Sequence, residues 1–188
     1  MIEYLNKLDV SLFLLINSLH NSFFDQIMVF ASAKFFWVPL YILLLYFIIK
    51  TYRSKTYLIL VFVVLLILIS DQLSVHAFKN VFERLRPCHN EDLKLIIHTV
   101  SGCGGQFGFV SSHAMNSFAL ASFIGVLLSN YRWMPWLLYG WAFLIIYSRV
   151  YLGVHYPGDV LAGAILGSSI GYLLAYAYRF TASKIYAS

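Results

Sequence analysis

The chain has 188 residues, 61% of them hydrophobic and only 11% charged, with a mean hydropathy of +0.76. That length suits a single domain over residues 1–188, and the composition is too apolar for a soluble globular protein, so an integral membrane protein is expected. The net charge of +5 does not point to nucleic acid. No basic run is interleaved with aromatics, and the Lys and Arg residues mostly flank apolar runs, where they set membrane topology.

Residues 1–24 carry Leu5, Leu8, Leu12, Leu15, Ile16 and Leu19 at near-helical spacing. Their apolar centre, Val10–Ile16, is too short to span a bilayer. Without a basic start, and with Glu3 and Asp9 interrupting, the segment does not read as a cleavable leader. The pattern predicts an interfacial helix over 1–23, with a spanning helix as the alternative. A first span is predicted over Phe24–Lys50, with Lys34 snorkelling toward the nearer surface. After a basic turn holding Arg53 and Lys55, a second span runs from Tyr57 to Phe78. Asp71, Val75 and Lys79 follow i, i+4 spacing and should share one face. Asp71 reads as a helix–helix hydrogen-bonding group rather than a reacting one. Residues 80–112 form one long polar loop, opened by the helix-stopping Pro87 and loosened by Gly102, Gly104, Gly105 and Gly108. Further spans are predicted over Ser112–Leu128, Trp133–Tyr151 and Pro157–Tyr178. In the last, Gly163, Gly167 and Gly171 make a flat face for close packing, within one bundle or in a homo-oligomer. The expected fold is therefore all-α: a polytopic membrane helix bundle of about five transmembrane helices plus the N-terminal interfacial helix.

Five spans would put the two termini on opposite sides. All eight acidic residues then share a side with the 80–112 loop. Of the thirteen Lys and Arg, six fall with the C-terminal tail and seven with the loop. Three of those seven, Lys79, Arg86 and Arg149, are assigned below to phosphate binding. Setting them aside leaves the tail side richer and places it in the cytoplasm. The loop is then extracytoplasmic, where Cys88 and Cys103 could oxidise to each other; two free thiols are the alternative.

Short turns make the spans antiparallel, so three polar segments converge on the outer side. They are Lys79–Pro87, Val110–His113 and Ser148–Asp159. Lys79, Arg86 and Arg149 supply three positive charges for a phosphoryl group. Ser111 and Ser112 lie at a helix N-terminus, where free N–H groups favour an anion. His155 and His113 are candidates for nucleophile and acid. Asp159, four residues after His155, can hold one ring nitrogen and leave the other free to attack, which favours His155 as the nucleophile. His76, His89 and His98 lack a recognisable zinc spacing, so no metal and no cofactor is expected.

These segments resemble the three motifs of the type 2 phosphatidic acid phosphatase family. Lys79, six residues, then Arg86-Pro87 is similar to the first. Ser111-Ser112-His113 is similar to the second, except that Val110 stands where the family has proline and Ser112 where it has glycine. Ser148-Arg149, five residues, His155, three residues, Asp159 is similar to the third. The resemblance implies a metal-independent lipid phosphatase working through a phosphohistidine on His155. It also implies phosphate binding by Lys79, Arg86, Ser111, Ser112 and Arg149. The expected partners are membrane lipids and a phosphorylated lipid substrate, cleaved at the outer face of the inner membrane. Undecaprenyl diphosphate is the first expectation, with phosphatidylglycerophosphate, phosphatidate and lipid A phosphates as alternatives. A non-enzymatic anion transporter or channel subunit is the reading from a different class, with the same basic cluster as a selectivity ring.

Overall fold

The computed structural model describes residues 2–100 and 102–186. Among them there is no β-strand, and the helices follow in the order α1 (Ile2–Asn17), α2 (Ser22–Ser32), α3 (Val38–Tyr52), α4 (Thr56–Gln72), α5 (Asn80–Phe82), α6 (Ser112–Leu127), α7 (Met134–Tyr151) and α8 (Pro157–Ile185). Two stretches, Lys34–Phe82 and Pro157–Ile185, are long and apolar enough to cross a membrane, and Ser112–Leu127 is a shorter apolar helix.

The N-terminal helix turns polar and apolar groups together toward the protein and leaves a row of leucines uncovered. Asp9 and Asn17 face inward around a fully buried Phe13, while Leu5, Leu8, Leu12, Leu15 and Leu19 are exposed. Asn17 donates to the carbonyls of Tyr151 and His98, both at 2.8 Å, which ties α1 to α7 and to the loop. The next element departs from expectation. The predicted span Phe24–Lys50 is not one helix: α2 ends at Ser32, Ala33 is extended, and Lys34–Trp37 forms a 3₁₀ turn before α3 begins. The indole of Trp37 donates to the Ala31 carbonyl at 2.8 Å and so satisfies a group that the break leaves free. Pro39 sits in the first turn of α3, where its missing N–H costs nothing.

At residues 53–55 the chain reverses, with Arg53 in a positive-φ conformation (φ 48°). As a result Lys34 and Lys79, at opposite ends of this hairpin in sequence, line the same cavity. Helix α4 then widens into a π-helix over Leu73–Lys79 before the last turn at α5. Such widenings often mark functional positions. Here it delivers Lys79 to a cavity that Asp71 also lines, while Val75, expected on the same face, does not line it.

The third, fourth and fifth predicted spans correspond to α6, α7 and α8, with α8 running on to Ile185. Helix α6 is the centre of the bundle, and most of its side chains are buried. The glycine face of α8 is spent on it. A Cβ at Gly163 would stand 2.8 Å from the Ser111 carbonyl, one at Gly167 would enter the Met115 backbone, and one at Gly171 would come within 2.7 Å of Ser122. Of the two uses expected for this face, packing within one bundle is the one observed. The homo-oligomer is not where these glycines are used.

Candidate active site

The long loop is closed at its base like a clasp. Leu85 pairs with Phe107 in an isolated antiparallel bridge, flanked by Arg86 N–H to Gln106 O (3.1 Å) and Gly108 N–H to Arg84 O (2.8 Å). Cys88 and Cys103 are joined in a disulfide, Cα to Cα 6.0 Å, so the oxidised alternative is the one observed. The closed loop fixes Arg86, which is 8% exposed. Its Nε donates to Phe107 O and its Nη1 to Cys103 O, each at 3.2 Å.

Opposite Arg86 lies the turn between α7 and α8. His155 is 1% exposed and Asp159 fully buried. The His155 Nδ1 donates to Asp159 Oδ2 at 3.3 Å, which leaves Nε2 free. The same oxygen also accepts the Tyr156 N–H at 3.1 Å. Burial, and then the charges of Arg86, Arg149 and Lys79, hold the His155 imidazole well below its usual range and so keep it unprotonated. Gly108 presses against this pair, and a Cβ there would lie 2.8 Å from Asp159 Oδ2 and 3.6 Å from His155 Nδ1.

A cavity of about 430 Å³ opens in front of His155. Lys79, Arg86, Ser112, His113 and His155 all line it, brought together from three separated segments as expected. The Lys79 ammonium donates to Ser112 Oγ at 2.5 Å, and Ser112 also meets Ser74 Oγ at 2.7 Å. The serine that departs from the family motif therefore holds the lysine in place. Three expected residues stand behind the lining. Arg149 donates to Ser32 Oγ, and its buried Nε has no protein partner. Ser111 is fully buried, caps α6 through the Ala114 N–H, and donates its own N–H to Asp159 O at 3.1 Å. Asp159 lies behind His155.

Two residues at the site gave no signal in the motifs. Arg84 donates from Nη1 to Asp159 Oδ1 (2.8 Å) and from Nη2 to Asp9 Oδ2 (2.7 Å), with its guanidinium 4.2 Å from the Tyr156 ring centroid. Asp9 also accepts the Gly158 N–H at 2.7 Å, at the N-terminus of α8. The i, i+4 habit cannot reveal a contact between residues 75 positions apart. The only available signal was an arginine two places before Arg86 and an acid within the apolar stretch Leu8–Ile16.

The arrangement has the parts for attack on a phosphoryl group: an unprotonated imidazole held by a carboxylate, a second imidazole lining the same cavity, and cationic donors beside them. A model of the PAP2 superfamily matches residues 56–182 of the chain. The chain is 40% identical to the lipid A 4′-phosphatase of Bacteroides thetaiotaomicron, over 97% of this chain and 82% of that protein. It is 33% identical to the undecaprenyl-diphosphatase of Sulfolobus acidocaldarius, over 88% of this chain and 76% of the other. Its fold is similar to the crystal structure of a transmembrane PAP2-type phosphatidylglycerolphosphate phosphatase from Bacillus subtilis, with a TM-score of 0.73 at 20% identity, covering 95% of this chain and 87% of that one.

Proposed function

The chain belongs to the PAP2 superfamily and is a membrane lipid phosphatase, and from that premise we propose that it removes the 4′-phosphate of lipid A at the outer face of a bacterial inner membrane. The observation that carries the substrate is the likeness to a lipid A 4′-phosphatase over 97% of the chain. Undecaprenyl diphosphate, the first expectation from sequence, gives way to this alternative because the relative acting on it is less similar and matches less of the chain.

The mechanism follows from the geometry. Lys79 and Arg86 hold the phosphate oxygens from the cavity wall, Arg149 adds its charge from behind that wall, and the free N–H groups at the start of α6 add neutral donors. His155 Nε2 attacks phosphorus, and the N–P bond forms as the bond to the sugar oxygen breaks. His113 gives its proton to that oxygen, and the dephosphorylated lipid leaves. His113 then takes a proton from water as the water oxygen attacks phosphorus, which releases inorganic phosphate and restores His155. Asp159 holds Nδ1–H throughout and stabilises the charge that His155 gains on attack. Ser111 acts by shaping the N-terminus of α6, and Ser112 by aiming Lys79.

The outward placement rests on charge. The turn at 53–55 and the end of α8 gather Arg53, Lys55 and Arg179 around a second cavity at the opposite end of the bundle, and no acidic residue lines it. That is the pattern of a cytoplasmic face. Five crossings, by α3 with its preceding turn, α4, α6, α7 and α8, fit that placement, with α1 lying in the outer interface. The test is phosphate release from a panel of phospholipids, polyprenyl diphosphate and lipid A with EDTA present, using His155→Ala as the blank. Release from lipid A by the wild type and none by the variant is expected. Equal release by both would return the chain to the class of non-enzymatic anion binders.

A further inference from the structure

The cavity continues past the phosphate-gripping end. It runs inward along α4 from Lys79 to Asp71, about two turns away. At roughly 30 Å³ per water it has room for about fourteen waters, well beyond what a phosphoryl group fills. Asp71 is exposed to this space. Among the described residues its carboxylate has no hydrogen bond or ion pair, and only its backbone carbonyl is engaged, by Ser74. An unpaired carboxylate in the pocket of an anionic substrate works against the phosphate unless it meets a donor. Asn116, one turn along α6 from His113, faces the same space, and its Oδ1 has no partner. The same cavity has an aromatic wall of Trp37, Tyr41 and Trp141. Trp141 meets Trp37 and Tyr41 edge to face, each pair 6.1 Å between centroids.

Acceptors set around an aromatic face suit a ring with an apolar C–H face and a rim of hydroxyl or amide donors. We propose that Asp71 and Asn116 form a subsite for the saccharide ring that carries the phosphate. There they accept its hydroxyl or amide hydrogens, and Trp141 covers its face. The proposal rests on the lipid A reading and adds the group that selects it. A polyprenyl chain brings no donor to Asp71, so the carboxylate would stay unpaired under that substrate.

The test compares two substrates in the same detergent micelles: lipid A bearing the 4′-phosphate, and p-nitrophenyl phosphate, which has no hydroxyl or amide. For Asp71→Asn and for Asn116→Ala, the ratio of kcat/KM for lipid A over that for p-nitrophenyl phosphate is expected to fall about tenfold or more, the worth of a hydrogen bond to a charged or otherwise unpaired group. The ratio is read within each variant, so a smaller folded fraction cancels. A ratio equal to that of the wild type in both variants overturns the subsite and leaves the lipid A reading standing. Failure of the wild type to release phosphate from lipid A overturns both, and shows before any substitution is made.

Discussion

Asp159 serves three neighbours at once, His155 and the Tyr156 N–H through Oδ2 and Arg84 through Oδ1. The pair of His155 and Asp159 is so tightly enclosed that one added methyl is enough to disturb it. Gly108→Ala puts a Cβ 2.8 Å from Oδ2, and the carboxylate has to move off the imidazole. Misplacing the attacking ring should lower kcat/KM by about a hundredfold, measured as phosphate release, with the folded fraction checked by size exclusion. Acid is the second test at this scale. In the proposed mechanism His155 attacks as the neutral ring, and burial holds its pKa well below the ordinary value. The neutral form therefore persists as pH falls through that value. The His155-dependent acid limb of kcat/KM is expected well below pH 6.5, and a limb centred near 6.5 would contradict the assignment. The motif residues were legible because their spacing is set by local chain geometry. Arg84, Asp9 and Gly108 were not, because each matters only through contacts that the folded loop and α1 create.

Most helix boundaries could be read from apolar runs and their breakers, since Pro157 opens α8 and Pro87 follows the end of the α4–α5 run. The break at Ala33 could not. It carries neither glycine nor proline, and one serine and one lysine beside Ala33 are too little to mark a helix end inside so apolar a stretch. The stop is made by tertiary contacts: Arg149 reaches Ser32, and Trp37 caps the freed Ala31 carbonyl. The π-helical stretch before α5 was equally silent, since its residue types suit either winding. The glycine face of α8 was legible as a packing surface, but its partner was not. Now that α6 is identified, the cost is specific. Gly167→Ala would drive its Cβ into the Met115 backbone, with Cα 2.9 Å away. A loss of about 1–3 kcal/mol is expected, read as a lower Tm in detergent. Gly140, whose Cβ would meet nothing within 4 Å, is the control for glycine replacement in a helix.

On the scale of the whole molecule, the site is the place where distant segments are fastened together. The disulfide closes the loop that carries Arg86, and Arg86 leans on the carbonyl of Cys103 itself. Reductant should lower kcat/KM of the wild type roughly tenfold by freeing that guanidinium. A Cys88→Ser, Cys103→Ser double variant should start at the lower value and ignore reductant, with phosphate release as the readout. The all-helical bundle and its apolar character were plain from composition. The clasp of the loop and the inward polar edge of α1 were not, because composition does not say which side of an amphipathic helix meets the protein.

One guanidinium grips carboxylates at positions 9 and 159, in the first and last of the described helices. During biogenesis the first helix must therefore wait for the last to leave the ribosome before the grip can close. A nascent chain that stops short of Asp159 lacks both the carboxylate beside His155 and this grip, so the centre is complete only after the start of α8 has been made.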